Sequence, residues 1–258
     1  MAVVTFTTDF GLTDAYVGAL KGVVLSLAPD AVLVDITHGV PPQDVRVGAL
    51  ALADATPHFP AGSIHLAVVD PGVGGARAPI AVASAGSLFV GPDNGLMSLA
   101  APSPRRVFRI ANPLFRREPV SPTFEGRDVF AVTAGRLAAG RAIDEAGPPL
   151  AGMEDLAMPP AEALTDDCDA EVVQVDHFGN LITSRLAADS PSGLWEMQCE
   201  GRRFELRGGT TFSDVDRGDL VLYAGSSGRA EVAVRDGAAS SVTRAKGGTH
   251  IRLRRLSS

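Results

Sequence analysis

Four aspartates stand at or close behind the ends of short apolar runs in the first half of the chain. Asp9, Asp35 and Asp70 fall at or just after such a run, and Asp93 follows another closely. In a parallel α/β sheet, ligands bind outside the carboxyl ends of the strands. A single aspartate there commonly begins a turn or caps a helix. Several along one edge form a cluster that suits a ligand with vicinal hydroxyls or a positive charge.

Asp70 and Arg77 form the most informative charged pair. They are joined by a Pro-Gly-Val-Gly-Gly turn that can fold the arginine back onto the aspartate. The spacing fits a structural brace, and it fits equally a buried, bidentate pair that orients one water molecule. A second charged turn, Arg127-Asp128, stands at the start of a predicted helix, where Asp128 can act as an N-terminal cap.

The spacing of the residues does not favour a metal site, a nucleotide-binding loop or a serine-hydrolase site. Candidate oxygen and nitrogen ligands for a metal ion are Asp9, Asp14, Asp35 and His38. No H-x-H, H-E-x-x-H or D-x-D-x-D spacing accompanies them, so we expect no metal site. The chain also has no G-x-G-x-x-G after its first apolar run, no Walker loop and no G-x-S-x-G elbow, which disfavours dehydrogenase, ATPase and serine-hydrolase functions.

The composition and net charge exclude several further classes of protein. The chain has 258 residues with 45% hydrophobic and 21% charged side chains, and its formal net charge of −7 argues against a nucleic-acid partner. Its two cysteines, Cys168 and Cys199, are not in C-x-x-C spacing, which excludes a disulfide scaffold or zinc ribbon. No apolar run approaches the roughly 18 residues of a membrane span, and the first residues do not resemble a signal peptide. We therefore expect a cytoplasmic protein without a membrane partner.

Short apolar runs and helical patterns alternate in the first part of the chain. The runs predict buried strands at 2–8, 31–36, 63–69, 79–83 and 87–90. Helical spacing predicts helices at 16–27, with Thr13 and Asp14 as caps, at 42–55, beginning with Pro42, and at 128–139. The alternation predicts an α/β domain over residues 1–150 with a parallel or mixed central sheet.

The rest of the chain has a different pattern. Residues 147–160 contain four prolines and few apolar clusters, which predicts a linker that we assign to residues 151–168. Short candidate strands then follow at 170–175, 181–185, 194–200, 203–207, 220–223, 230–234 and 250–253. Turn residues separate them and long helical stretches are missing, so we expect a smaller all-β, barrel-like domain over residues 169–258.

An ordered set of motifs carries a family resemblance from residue 4 to about residue 239. The motifs are Thr8-Asp9-Phe10-Gly11, Asp35-Ile36-Thr37-His38, Val69-Asp70-Pro71-Gly72-Val73-Gly74, Gly91-Pro92-Asp93-Asn94-Gly95, Gly126-Arg127-Asp128-Val129-Phe130-Ala131, Asp176-His177-Phe178-Gly179-Asn180 and Ser226-Ser227-Gly228. The set resembles the S-adenosyl-L-methionine (SAM) hydroxide adenosyltransferases, or SAM hydrolases, which are related to SAM-dependent fluorinases and chlorinases. The resemblance implies an α/β domain, a β-barrel and a homotrimer that binds SAM between neighbouring subunits.

The resemblance also implies roles for individual residues. Asp9 matches the carboxylate that holds both ribose hydroxyls, and a carboxylate can accept two hydrogen bonds from a vicinal diol. Asp176 and Asn180 match residues that bind the methionine end, and Ser227 matches a contact to the amino-acid portion. The remaining implied substrate-binding residues are Phe178 and Ala238 near the adenine, with Phe10, Asp14, Asn94 and Phe124.

Three positions favour hydrolysis over halogenation. Asp70 stands where the halogenases of this family carry tyrosine, and a carboxylate repels halide but can hydrogen-bond water. Arg77 completes the hydrolase-like pair. Gln43 stands where the fluorinase carries tryptophan.

Glu125 departs from the family pattern, because hydrolases of this family usually have histidine at its position. The implied catalytic set is therefore Asp70, Arg77 and Glu125. Three roles stay open for Glu125: an ionised proton acceptor, a neutral hydrogen-bond donor, or a side chain that points away and leaves the site impaired.

The expected reaction is attack by water on C5′ of the ribose, which yields adenosine and L-methionine. Asp70, oriented by Arg77, is the group expected to position the water and take up its proton. SAM is the substrate, and no metal or separate cofactor is expected. The alternatives are a protein that binds SAM or adenosine without turnover, which Glu125 keeps open, and a SAM-dependent halogenase.

Overall fold

The computed structural model describes residues 1–256 of the chain, which divides between Ala157 and Met158 into two compact units. The first unit contains a mixed sheet with helices, and the second contains a β-barrel. The expected fold class is therefore confirmed. Within the described residues, no helix has the length and apolar character that crossing a membrane requires.

The first unit is built on a seven-stranded sheet in the order β2-β1-β3-β5-β4-β6-β7. The neighbouring strands β2, β1, β3 and β5 pair in parallel. The pairings of β5 with β4, β4 with β6 and β6 with β7 are antiparallel. The strands are β1 Val3–Thr8, β2 Val32–Thr37, β3 Ile64–Val68, β4 Pro79–Ser84, β5 Ser87–Pro92, β6 Arg105–Arg109 and β7 Pro149–Leu150. The helices are α1 Tyr16–Leu27, α2 Val45–Ala55 and α3 Ala131–Ala138.

Helices cover both faces of this sheet. Phe6 and Leu66, which are register partners on β1 and β3, pack in one fully buried cluster with Phe130, just before α3. Val69, which directly follows β3, lies in a second cluster with Leu52 of α2. Since successive strand residues face opposite sides of a sheet, both faces of these strands must be apolar. This requirement explains the continuous apolar runs in the sequence.

The capping of α1 and the starts of α2 and α3 differ from the sequence-based expectation, and α3 begins at Ala131 after a π-helical turn over Gly126–Phe130. Helix α1 begins at Tyr16 as predicted, but Ala15 occupies its N-cap position and no side chain caps it, so the capping roles of Thr13 and Asp14 were wrong. Helix α2 begins at Val45, not at Pro42. The intervening Gln43 has φ of 68°, which a right-handed helix cannot contain.

The second unit is a closed barrel of seven strands in the order β14-β13-β12-β11-β15-β9-β10, with β14 paired to β10. The strands are β9 Asp167–Val175, β10 Leu181–Leu186, β11 Gly193–Cys199, β12 Arg202–Gly208, β13 Leu220–Ala224, β14 Arg229–Val234 and β15 His250–Arg255. Each of the seven predicted strands is present. The short helix α4, Ala239–Thr243, follows β14. Leu181, Met197, Leu222 and Val232 are among the fully buried side chains of the barrel interior.

The segment predicted as a linker is partly structured. The two-residue strand β8, Glu162–Ala163, pairs in parallel with β10, and β9 begins at Asp167. Both cysteines are free and buried in the barrel core.

Gly91 sets the spacing of the two strands that end at the aspartate-bearing edge. A Cβ at Gly91 would lie 2.3 Å from the backbone oxygen of Ala67 on β3. We expect Gly91→Ala to lower the free energy of unfolding by about 2 kcal/mol, because backbone has to move. Gly22→Ala on α1 is the matched control: nothing lies within 4 Å of its added Cβ, and helix propensity predicts up to about 1 kcal/mol of stabilisation. Urea unfolding of the full-length protein measures both, and equal effects would contradict the packing argument.

Candidate active site

Asp9 and Asp70 lie side by side because their strands do. Strands β1 and β3 pair in parallel with Thr8 opposite Val68, and Asp9 and Asp70 directly follow this edge. A pocket of about 330 Å³ opens here. Five predicted site residues line it: Asp9, Phe10, Asp70, Phe124 and Glu125. Its volume is within the range of small-molecule sites.

The glycine-rich turn after β3 brings Arg77 back to Asp70. Gly74 has φ of +73°, and an added Cβ would lie 2.6 Å from the backbone oxygen of Pro122. Only glycine meets both conditions without strain. The close approach places the turn against the segment that leads into Phe124 and Glu125.

Arg77 binds two carboxylates at once. Its Nε lies 3.0 Å from both carboxylate oxygens of Asp70, and its Nη2 donates a further hydrogen bond to Asp70 Oδ2. The same Nη2 forms an ion pair with Glu125 Oε2. The side chains of Asp70, Arg77 and Glu125 are 5%, 10% and 18% exposed. They form a buried cluster at the pocket wall, unlike a solvated surface brace.

The protonation of Arg77 follows from this geometry. Burial alone would lower the pKa of the guanidinium, but the hydrogen bonds and charges of Asp70 and Glu125 outweigh burial and raise it. Arg77 is therefore a permanent cation. With both carboxylates ionised, the three groups carry a formal charge of −1 at the pocket wall, which favours a cationic ligand and disfavours an anion.

Glu125 points into the cluster. It immediately precedes a π-helical turn, Gly126–Phe130, that continues into α3. Its contact with Arg77 rules out the alternative in which Glu125 points away from the site. A π-turn at this point is consistent with the enrichment of such turns at functional sites.

Asp128 is not the N-terminal cap of this helix, because the helical turn begins before it. Its buried carboxylate accepts hydrogen bonds from Arg127 Nε at 2.7 Å, Arg127 Nη2 at 2.8 Å and the Ser121 backbone at 2.9 Å. The hydrogen bond from Arg127 is the main cause that lowers the pKa of Asp128. The residue therefore ties the segment at Ser121 to the helix that carries Glu125.

Asp9 is held by a backbone group that sequence analysis did not identify. The Gln43 backbone N–H donates to Asp9 Oδ2 at 2.8 Å, and Gln43 has the left-handed φ of 68°. Such a conformation is costly for a non-glycine residue and is found preferentially at functional sites. Pro41 and Pro42, directly before it, are the sequence signal of an unusual turn.

Three aromatic rings form one side of the pocket. Phe10, Tyr16 and Phe124 contact one another edge to face, with centroids 5.3 to 6.1 Å apart. Tyr16 was missed by sequence analysis, since a half-exposed aromatic at the start of a helix has no distinctive pattern. A Cβ added at Gly126 would lie 3.4 Å from the Phe10 ring, so glycine allows the rings to approach the helix.

The structure places Asn94 and Asp14 differently from the pocket-lining residues. The Asn94 side-chain amide donates to the backbone oxygen of Val69 at 2.9 Å, beside Asp70. This bond ties the ends of β3 and β5 together. Asp14 is exposed in the turn that precedes α1.

In the second unit, the turn after β9 brings three predicted residues together. Asp176 Oδ1 accepts hydrogen bonds from the backbones of Phe178 and Asn180 at 2.9 and 2.8 Å, and Asp176 Oδ2 accepts from Asn180 Nδ2 at 2.8 Å. An added Cβ at Gly179 would lie 2.5 Å from Ala238 Cβ. Phe178 is 73% exposed, and Ser227 lies on a different turn, between β13 and β14.

Comparisons with known proteins agree with this architecture. The SAM hydroxide adenosyltransferase N-terminal domain matches residues 4–147, and the corresponding C-terminal domain matches residues 170–252. An (R)-S-adenosyl-L-methionine hydrolase of Thermus thermophilus is 43% identical over 262 residues, with 98% of this chain and 100% of the relative covered. A crystal structure of an uncharacterized conserved protein from Thermotoga maritima superposes with a TM-score of 0.89 at 31% identity, covering 99% of this chain and 100% of that chain.

A more distant relative links the chain to halogenating enzymes. A fluorinase of Actinoplanes sp. is 28% identical over 263 residues, with 88% of each chain covered. The α/β unit and the seven-stranded barrel of this chain correspond to the two domains of the matched family, which define its class. Within that class, the chain belongs to the SAM hydroxide adenosyltransferase family.

Removing the arginine tests the charge balance of the cluster. We expect Arg77→Met to lower the free energy of unfolding by about 3 kcal/mol at pH 7, because two buried carboxylates lose their common cation. Protonation of one carboxylate relieves their repulsion, so part of the loss is recovered as the pH falls from 7 to 5. Chemical unfolding at both pH values, with the parent protein as control, measures this. A loss that is the same at both pH values would contradict the account.

Proposed function

We propose that this protein hydrolyses SAM to adenosine and L-methionine by attack of water on C5′ of the ribose. The observation that carries the proposal is the Asp70–Arg77–Glu125 cluster at the wall of a pocket that also contains Asp9. The name of the Thermus relative, an SAM hydrolase that aligns along its whole length, supports the same activity.

The carboxylates supply the groups that a water nucleophile needs. Attack by neutral water produces a protonated 5′-hydroxyl, which is strongly acidic, so even a weakly basic carboxylate suffices to remove its proton. Asp70 is fixed by its bidentate contact with Arg77 and accepts this proton in the proposed mechanism. Fixed geometry reduces the entropic cost of bringing the water into line with the bond that breaks.

The substrate supplies its own leaving group. The sulfonium becomes a neutral thioether as the C5′–sulfur bond breaks, so no acid, metal ion or separate cofactor is needed on that side. The aromatic wall of Phe10, Tyr16 and Phe124 limits the water around this centre. Since charge on sulfur fades during the reaction, a less hydrated surrounding favours the transition state over the ground state.

The proposed substrate contacts are those that the family resemblance implies. In the proposed complex, Asp9 holds the ribose diol with Phe10 and Phe124 beside it in the pocket, while Asp176 and Asn180 bind the methionine end with Ser227. Phe178 and Ala238 border the adenine. The hydrogen bond from Gln43 to Asp9 supports the first of these roles, because it fixes the carboxylate at the pocket.

The charge of the cluster favours water over halide. A formal charge of −1 from Asp70, Arg77 and Glu125 attracts the sulfonium of SAM and repels chloride or fluoride. Glu125, at the usual histidine position, contacts Arg77 as an acidic partner. We therefore expect no halide-dependent product, and we propose turnover instead of passive binding.

Replacing Asp70 tests the proposed chemistry. We expect Asp70→Asn to lower kcat for SAM hydrolysis by about 100-fold or more, the usual range for loss of a general base. Asp93→Asn is the matched control: Asp93 follows the neighbouring strand, but its carboxylate accepts from the Glu154 backbone and does not line the pocket. Chromatography of adenosine and methionine, with and without chloride or fluoride, measures both variants. Intact SAM with the parent protein, or full activity of Asp70→Asn, would overturn the proposal.

We also propose a cytoplasmic homotrimer whose sites lie at subunit interfaces, as the family resemblance implies. In such an assembly, Asp70 and Asp176 at one site come from different chains. Co-expressed Asp70→Asn and Asp176→Asn subunits should then regenerate intact sites and recover about a quarter of the parent activity. Each variant expressed alone is the control. Oligomers that contain both subunits and stay inactive would contradict the shared site.

A further inference from the structure

One motif singled out by sequence analysis is not used by the proposed chemistry. Asp35-Ile36-Thr37-His38 lies at the end of β2, next to β1 in the sheet. Its buried histidine does not line the pocket, and its side chain is only 2% exposed. His38 therefore acts on the reaction only through other residues.

An irregularity in the strand pairing shapes this motif. Phe6 pairs with Asp35, but the next residue, Thr7, pairs with Thr37, so Ile36 is an extra residue in β2. A bulge of this kind redirects the side chains at a strand end. Beyond it, His38 Nε2 lies 3.0 Å from Asp35 Oδ1.

A continuous polar chain runs from the protein surface to the loop that carries Asp9. Lys21 Nζ donates to Asp35 Oδ2 at 2.6 Å, and Asp35 contacts His38 as described. On its other side, His38 Nδ1 lies 2.7 Å from Thr8 Oγ1. The Thr8 hydroxyl in turn accepts a hydrogen bond from the Phe10 backbone N–H at 3.2 Å.

The donors and acceptors of this chain are mutually consistent. With the proton on Nε2, that nitrogen faces the Asp35 carboxylate as an ion-pair contact at 3.0 Å, and Nδ1 accepts from the Thr8 hydroxyl, which leaves the Thr8 oxygen to accept from Phe10. The His38 backbone adds a second link, because its oxygen accepts from the Gly11 N–H at 2.9 Å. The Thr8 side chain before Asp9 and the backbone N–H groups of Phe10 and Gly11 after it are thus bonded to this network.

The ion pair of Lys21 and Asp35 at the surface end of this network stabilises the ionised form of Asp35. Burial alone would raise the pKa of Asp35, but hydrogen bonds from Lys21 and His38 outweigh burial and lower it. An ionised Asp35 fixes the orientation of the imidazole, in the way that a carboxylate orients a functional histidine elsewhere.

We propose that His38, oriented by Asp35, is a positioning residue that sets the Thr8–Gly11 turn and thereby the Asp9 carboxylate for binding a vicinal diol. This inference rests on the proposed function, because the diol is that of the ribose of SAM. Gln43 fixes one oxygen of the carboxylate, and the His38 network fixes the backbone from which the carboxylate extends. The Gln43 hydrogen bond and the His38 network are both needed, because the carboxylate has to be held in one orientation to accept a hydrogen bond from each of the two hydroxyls of a diol.

Discrimination between adenosine and 2′,3′-dideoxyadenosine tests this role. In the parent protein, calorimetric titration gives the ratio of the two dissociation constants, which measures the contribution of the diol. We expect His38→Ala to reduce that ratio at least five-fold and to raise KM for SAM more than it lowers kcat, because the diol contact exists in ground and transition states alike. His38→Asn, whose amide can still reach Thr8, should recover part of the ratio.

A second buried histidine provides the matched control. His65 on β3 makes an equivalent contact, Nδ1 to Thr5 Oγ1 at 2.8 Å, and is fully buried. It lies within the sheet and away from the Asp9 turn. His65→Asn should lower thermal stability as His38→Asn does, but leave the diol ratio unchanged.

Asp35→Ala is a second variant for the case that the His38 variants do not fold. It is expected to fold, because the Asp35 side chain is 38% exposed and its loss creates no core cavity. It should shift the diol ratio in the same direction as His38→Ala. An unchanged ratio in folded His38→Ala or Asp35→Ala, or an equal change in His65→Asn, would overturn the positioning role. A parent protein that binds neither SAM nor adenosine would instead refute the proposed function.

Discussion

The ion pair between one arginine and two carboxylates is the constraint on which the site depends. Arg77 can hold Asp70 and Glu125 together only if the turn after β3 folds back and the helix carrying Glu125 begins close to it. The left-handed Gly74 and the π-turn at Gly126 meet these two conditions. Loss of any member of such a buried cluster lowers the free energy of unfolding, so the turn, the helix start and the three charged groups have to be formed together.

The sheet supplies the second constraint, which is the placement of the Asp9 carboxylate at the pocket. Asp9 and Asp70 are brought together by the register of β1 and β3, and Asn94 ties the end of β5 to the same edge. Asp9 accepts a hydrogen bond from the Gln43 backbone, and the buried His38 network bonds to the turn that carries Asp9. Asp9 and the Asp70–Arg77–Glu125 cluster are therefore held by different contacts at the same edge of the sheet.

The sequence predicted most of the fold and the principal charged pair. Apolar runs located the five strands β1 to β5 and all seven barrel strands, and the Pro-Gly-Val-Gly-Gly turn predicted that Arg77 returns to Asp70. It did not predict the start of α2, which depends on the unusual φ of Gln43, or the direction of Glu125, which depends on the π-turn. The His38–Asp35 contact depends on a bulge in β2. Local pattern does not encode the bulge, which arises from the pairing of β2 with β1, or the contact of Gln43 with the distant Asp9.

The central claim is that water, held by the carboxylate–arginine cluster, attacks C5′ of SAM. Turnover of SAM in ¹⁸O-labelled water, followed by mass spectrometry of both products, tests it most directly. The account predicts one labelled oxygen in the 5′-hydroxyl of adenosine and none in methionine. Label in homoserine with release of 5′-methylthioadenosine would show cleavage on the other side of sulfur and would contradict the account, as would adenosine without label.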